Sequence, residues 1–203
     1  MRIWISRSPI IDAMYFSVNV KGTEQRRNIT ILHGTEQDWE EAMALAWRVF
    51  RQFDAQDYSV EGCDSFLRFI SDNMLRRMFV LGRYRMYVAK DAGQIVGLIT
   101  LREHNHISLV FVDERYQHTG IGRALIDCVM DYLCKRKVLP LDNEEDKILD
   151  VLYEIEPGDF CTVNSAPYAC DFYKKLGFVP DGEAFEREGI ISYPMKLQAF
   201  SSI

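Results

Sequence analysis

No run of about 18 apolar residues, the length a membrane-spanning helix needs, occurs in this chain of 203 residues. The sequence therefore predicts no membrane partner. Basic charge is in deficit: 24 Lys and Arg stand against 30 Asp and Glu, a formal net charge of −6. Nucleic-acid binders carry a basic domain or a clustered basic stripe, so no nucleic-acid partner is expected either. The five cysteines (Cys63, Cys128, Cys134, Cys161 and Cys170) form no Cys-x-x-Cys pair. An odd, unpaired set argues against a disulfide framework or a zinc ribbon. Free thiols in a reducing compartment fit better, which makes a cytoplasmic protein the expectation. The first residues lack the unbroken apolar stretch of a secretory signal. Their apolar pieces, Ile3 to Ile5, Ile10 to Ile11 and Met14 to Phe16, are interrupted by Arg7, Pro9 and Asp12.

What remains is the composition of a globular domain, 48% hydrophobic and 27% charged, at the length of one domain. The pattern divides it into an N-terminal extension, 1–28, and a domain, 29–203, with an acidic insertion at 138–159. That insertion holds Asp142, Glu144, Glu145, Asp146, Asp150, Glu154, Glu156 and Asp159 against the single base Lys147. It reads as a solvated surface segment, or as an acidic lip that attracts cations.

Periodicity supplies the elements. Ile29 to Leu32 is a short strand. Thr35 with Asp38 is a loosened capping box. Trp39, Met43, Ala46, Phe50 and Phe53 then recur at helical spacing. Residues 61–81 repeat the pattern less cleanly. Tyr84 to Lys90 and Gln94 to Arg102 are rich in β-branched and aromatic residues around Asp91-Ala92-Gly93, which predicts a hairpin. Ile107 to Val112 is a third strand, 120–136 a helix and Phe160 to Val163 a strand. Pro167 opens a helix that Gly177 ends, and Phe178 to Val179 and Ile190 to Leu197 close the chain. The order is mixed α/β.

The most informative stretch runs from Val110, Phe111 and Val112 through Gln117, His118, Thr119, Gly120, Ile121 and Gly122 to Arg123. A strand enters a glycine-bearing turn and a helix leaves it. Free N–H groups at a helix start bind anions, and glycine lets the backbone approach them. Leu125 stands where a dinucleotide fingerprint needs a third glycine, and no Gly-Lys-Ser/Thr follows, so the common nucleotide loops do not match.

Gln117-x-x-Gly120-x-Gly122 after Val112 resembles motif A of the GNAT superfamily of N-acetyltransferases. Asn164, followed by Phe172-Tyr173-Lys174-Lys175-Leu176-Gly177-Phe178, resembles its other signature. The resemblance covers about 29–197. It implies an acyl-CoA-binding α/β fold with a mixed, mostly antiparallel sheet, helices on both faces and two strands splayed at the cofactor site.

It also implies acetyl-CoA as cofactor, with no metal. The pyrophosphate would lie on backbone N–H groups from Gln117 to Arg123. The pantetheine arm would pair near Val110 to Val112, with Asn164 beside it. Acetyl transfer would go directly to an amine of a small-molecule or peptide acceptor. Tyr173 matches the residue that protonates the departing thiolate in many members. His106 lies eleven residues before Gln117, the offset of the general-base glutamate in the histone-acetyltransferase branch, so His106 is the candidate base.

His104 and His106 could approach one metal, but no third ligand is evident. Helical spacing sets Phe172 with Leu176 towards the core and Tyr173 over Ala169. On the acceptor side, where the family uses its first two helices, Trp39, Trp47, Phe50, Phe53 and Phe66 are wall candidates that read first as core. Tyr58, with Asp54 and Asp57, is the exception: the two acids could hold a cationic amine. The alternative class is a non-catalytic acetyl-CoA-binding sensor or regulatory module, which the missing glutamate at 106 keeps open. A homodimer is left open as well.

Overall fold

A capping box, a hairpin turn and two apolar helix faces set most of the architecture. The computed structural model describes residues 6–7, 13–22, 26–102, 105–138 and 160–198. In chain order these form β1 (Ser6–Arg7), β2 (Met14–Asn19), β3 (Arg26–His33), α1 (Trp39–Phe53), α2 (Val60–Ile70) and α3 (Asn73–Val80). There follow β4 (Tyr84–Asp91), β5 (Gln94–Arg102), β6 (His106–Val112), α4 (Ile121–Val138), β7 (Phe160–Ser165), α5 (Cys170–Lys175), β8 (Val179–Pro180), β9 (Phe185–Arg187) and β10 (Ile190–Gln198). His104, Glu103 and the acidic stretch 139–159 lie outside the described residues.

The sheet runs β1-β2-β3-β4-β5-β6-β7-β10-β8, with β9 on β10. Among the described pairs only β6 and β7 are parallel. The predicted hairpin forms: Ala92 and Gly93 take φ of 47° and 91°, the backbone a tight, correctly twisted turn requires. The Thr35 backbone N–H and hydroxyl both donate to Asp38 Oδ2 at 2.9 Å, just ahead of α1. The irregular pattern over 61–81 resolves into two helices, because the Asp72 carboxylate accepts from the Met74 N–H at 2.7 Å and starts α3.

Two apolar cores flank the sheet. On one face Trp39, Leu45, Phe50, Phe66, Leu75 and Phe79 of α1–α3 pack on Met86, Leu98 and Leu109. On the other, Ile121, Leu125 and Val129 of α4 join Ile99, Ile107, Val163 and Tyr173. At Gly97 a Cβ would stand 3.1 Å from Ile121 and 3.3 Å from Leu125, so glycine lets α4 lie close on β5. Phe16 and Val18 of β2 are buried in this second core too. The stretch set apart in the sequence as 1–28 therefore contributes a strand to the same sheet.

A β-bulge interrupts β6. Thr100 pairs with Leu109 and Leu101 with Ile107, so Ser108 is the extra residue. Strict alternation would put Ile107 and Leu109 on one face. The bulge sends Ile107 to the α4 side and Leu109 to the α1–α3 side.

Candidate active site

β6 and β7 meet through only two register pairs, His106 with Thr162 and Ile107 with Val163. Beyond them the strands part. On its other side β7 stays paired with β10 through Ser165. The β7-facing edge of β6 from Ser108 to Val112 therefore carries no strand pairing, and its backbone groups, apart from the Val112 carbonyl, are open to an extended ligand arm. Val110 and Val112 lean on the α4 core and Phe111 on the α1–α3 core, so their backbone, held against β5, lines this opening.

The opening leads to the glycine turn. Asp113 begins it: the buried carboxylate accepts from Arg115 N–H at 3.1 Å and from Arg48 Nη2 at 2.7 Å, tying the turn to α1. Gln52 adds a 2.6 Å bond to Glu114. The Gln117 side-chain amide donates to the Val112 carbonyl at 3.2 Å, and Thr119 Oγ1 to the Tyr116 carbonyl. His118 and Gly120 take positive φ, 63° and 99°. A Cβ at Gly120 would meet no atom within 4 Å, so there is open space over the turn. The first N–H groups of α4, from Ile121 to Arg123, have no acceptor within their own helix. Arg123 itself is exposed and lies 4.0 Å from Asp127. An open cradle with unpaired N–H groups, continuous with a parted strand pair, fits a phosphate-bearing cofactor with an extended arm. At Gly122 a Cβ would come within 3.2 Å of the Phe172 ring, so that glycine lets α4 and α5 touch.

Tyr173 stands on α5 at the far side. It is 4% exposed, with its ring edge-on to Phe172 at 5.1 Å and to Phe178 at 5.2 Å. The sequence expectation put Phe172 and Leu176 inward. Both do pack against the α4-side core, but Tyr173 is the more deeply buried, because the chain doubles back at Gly177 and clamps it under Phe178. Burial pushes the Tyr173 hydroxyl above its ordinary range, and the Cys161, Asp54 and Cys170 groups push it further. It keeps its proton at neutral pH.

Asp54 caps the end of α1. Its N–H donates to the Phe50 carbonyl at 2.9 Å, and its carbonyl accepts from Asp57 N–H at 2.9 Å. The side chain is buried, at 7% exposure. Burial, then the charge of Asp57, raises it from 3.8 to about 7. Beside it the Tyr58 ring stacks on Phe50 at 5.6 Å, and its hydroxyl donates to the Ile191 carbonyl at 3.3 Å. Burial, Asp54 and Asp57 all push Tyr58 upward. Trp39, Phe50 and Phe66 are core residues, whereas Trp47, Phe53 and Tyr58 are half-buried at its edge.

His106 lies at the closed end, where the two strands still pair. Its Nδ1 is 2.9 Å from Thr162 Oγ1. Burial, then the charge of Arg102, lowers it from 6.5 to about 4. Asn164 is exposed on β7, opposite Pro194.

Electrostatics thus brings Tyr173, Asp54 and Tyr58 into one neighbourhood, while His106 answers to Thr162 and Arg102. Sequence reasoning missed Thr162, Asp113 and Arg48. The turn motif adjoins Asp113, but nothing in the chain pairs it with Arg48, 65 residues away. No group of three or more His, Cys, Asp or Glu that could hold a metal occurs among the described residues. No helix among them is long and apolar enough to cross a membrane.

A family model for the acetyltransferase (GNAT) domain matches residues 54–143 and 146–199. No curated protein matches the chain in sequence. Among solved structures, a GCN5-related N-acetyltransferase from Rhodopseudomonas palustris is 20% identical, with a TM-score of 0.60 over 83% of this chain and 94% of that one. The PaiA N-acetyltransferase of Thermoplasma acidophilum, in complex with coenzyme A, is 19% identical, with a TM-score of 0.58 over 84% and 98%. YjaB from Escherichia coli, in its apo form, is 19% identical, with a TM-score of 0.56 over 83% and 96%.

Proposed function

The chain belongs to the GNAT acetyltransferase family, whose members are acetyl-CoA-dependent N-acetyltransferases, and on that premise we propose that it acetylates a primary amine of a cationic small molecule or peptide. The observation that carries this is the parted β6/β7 pair leading into the open glycine turn, with the buried Asp54 and half-buried Tyr58 at the end of α1 as candidate acceptor groups. Backbone N–H groups from Gln117 to Arg123 would hold the pyrophosphate. The edge from Val110 to Val112, with Asn164 opposite, would hold the arm. The cofactor supplies an acetyl group as a thioester, activated for attack by nitrogen.

The protein's own groups then orient and move protons. Asp54 and Asp57 favour a cationic acceptor, such as a polyamine, an aminoglycoside-like amine or a lysine side chain, by charge at short range. Tyr173, protonated at neutral pH, donates to the sulfur as it leaves. His106 occupies the position at which the family offset sets a base. Its Nδ1 is engaged with Thr162, and burial with the Arg102 charge lowers it to about 4, so it is the weaker of two base candidates, the other being Asp54.

Coenzyme release from acetyl-CoA, followed by thiol titration across spermidine, kanamycin and a lysine peptide, tests the reading. Release with at least one amine is expected. Tight acetyl-CoA binding without release from any of them would favour a sensor instead.

A further inference from the structure

The end of α1 is a costly place for a carboxylate. Asp54 stands at the negative end of a fifteen-residue helix. Asp57 lies three residues on, and the side chain is buried. Its backbone is fixed on both sides, yet among the described residues the carboxylate has no hydrogen bond and no salt bridge. The other buried acids among the described residues are paired: Asp38 with Lys90 at 2.6 Å and with Thr35, and Asp113 with Arg48 and Arg115. Asp54 alone among these is left with free lone pairs. It lies in the electrostatic range of Tyr173, and the adjacent Phe53 ring stacks at 5.6 Å on Tyr168, three residues past the end of β7.

We propose that Asp54 is the general base of the transfer, taking a proton from the acceptor's ammonium group, and that His106 is not. The inference rests on the transferase reading above. An ammonium entering beside Asp54 meets a carboxylate with nothing else to neutralise it. One N–H bond breaks, its electron pair stays on nitrogen, and the proton passes to Asp54 and later to solvent. The lone pair so released forms the C–N bond to the acetyl carbon as the C–S bond breaks. The second proton of the attacking nitrogen balances the one Tyr173 gives to the sulfur.

The groups facing Asp54 are Asp57 from the following turn, Tyr58 ahead of α2 and Tyr173 from α5. Cys63 and Cys170 face Tyr58 in turn. None is a cation, so Asp54 titrates near the working pH of a base. His106 is tied through Nδ1 to Thr162, beside Arg102 and at the closed end. A group that titrates near 4 is a weak base at neutral pH.

The test is the pH dependence of kcat/KM for the fastest of the three amines, from pH 5 to 9. The wild type is expected to show a rising limb near pH 7. Asp54→Asn should lower kcat by about 10²–10⁴-fold and abolish the limb, while acetyl-CoA affinity, read by calorimetry, stays unchanged. Asp57→Asn should move the limb to lower pH, and His106→Gln should keep it near 7. A flat wild-type profile across neutrality would overturn the assignment. So would Asp54→Asn with a higher KM but unaltered kcat and limb, the behaviour of an amine anchor only. A wild type that binds acetyl-CoA yet releases no coenzyme with any amine overturns the transferase reading and this one together. An active wild type with an equally active Asp54→Asn overturns this one alone. Asp54→Asn is isosteric, and its unfolding transition confirms that it folds.

Discussion

A phenol buried like that of Tyr173, with Asp54 and two thiols in its range, holds its proton at neutral pH and can offer it to a departing sulfur as a hydrogen bond. Its hydroxyl contributes to the core only as an edge of packed rings, so Tyr173→Phe keeps the ring contacts with Phe172 and Phe178. The substitution is expected to lower kcat by about 10²-fold with acetyl-CoA affinity unchanged. Stopped-flow thiol release measures the first and calorimetry the second. Unchanged turnover would assign the residue to packing. The position of Tyr173 on α5 was legible in the sequence, because Phe-Tyr-x-x-Leu-Gly-Phe binds residue type to position. The character of Asp54 was not. Its neighbours Gln56 and Asp57 make a polar stretch, and polar stretches are normally solvated. Only the fold covers Asp54, by stacking Tyr58 on Phe50, bonding Tyr58 to Ile191 and setting Phe53 against Tyr168.

At the scale of elements, the bulge at Ser108 explains why an offset counted along the chain misleads. One extra residue in β6 reverses which face each earlier side chain takes. His106 keeps its distance in sequence from Gln117, but its ring engages Thr162 on the α1–α3 face rather than continuing the row of Val110 and Val112. The strands, hairpin and helices were readable because periodicity and turn chemistry are local. The bulge was not, since Ser108 is an ordinary strand-compatible residue and its register depends on β5.

A second element-scale device holds the acceptor side. The N-terminal turn of α2 touches the β9–β10 turn backbone to backbone: a Cβ on Gly62 would fall 2.2 Å from the Gly189 carbonyl oxygen. One on Gly189 would fall 2.5 Å from Ser59 Oγ, at φ +75°. The Ser59 hydroxyl caps α2 from Gly62 N–H at 3.1 Å, and the Tyr58–Ile191 bond lies alongside. Gly189→Ala should therefore push the hairpin off α2. The expected costs are about 1–3 kcal/mol of stability and a raised KM for the amine. The KM for acetyl-CoA should stay unchanged, because the glycine turn at 117–123 is built on other elements. Chemical denaturation and steady-state kinetics read these separately. Equal rises in both KM values would mean that the contact supports the whole sheet.

Over the whole molecule, the buried Asp54 and the half-buried His106 bias stability in opposite directions. Asp54 has a folded-state value raised from 3.8 to about 7. Its stabilisation is therefore fully present below pH 3.8 and is lost as pH rises to about 7. His106 is lowered from 6.5 to about 4, so its stabilisation is present above pH 6.5 and lost as pH falls to about 4. At 1.36 kcal/mol for each factor of ten in proton affinity, the two are worth about 4 and about 3 kcal/mol at most. The Asp38 carboxyl is pushed up by burial, but its bonds to Lys90 and Thr35 outweigh this and hold it below 3.8, so it acts on the acid side of this window. The wild type should thus show a nearly level stability between pH 4.5 and 7. Each single variant should unmask the other group. Asp54→Asn should gain stability as pH rises, from the His106 contribution left alone. His106→Gln, which can still bond Thr162, should lose it over the same range. Urea unfolding at pH 4.5, 6 and 7.5 reads both slopes. Two variants that run parallel to the wild type would mean that neither group is held as the fold places it, and the cost assigned to carrying Asp54 inside the site would then have no basis.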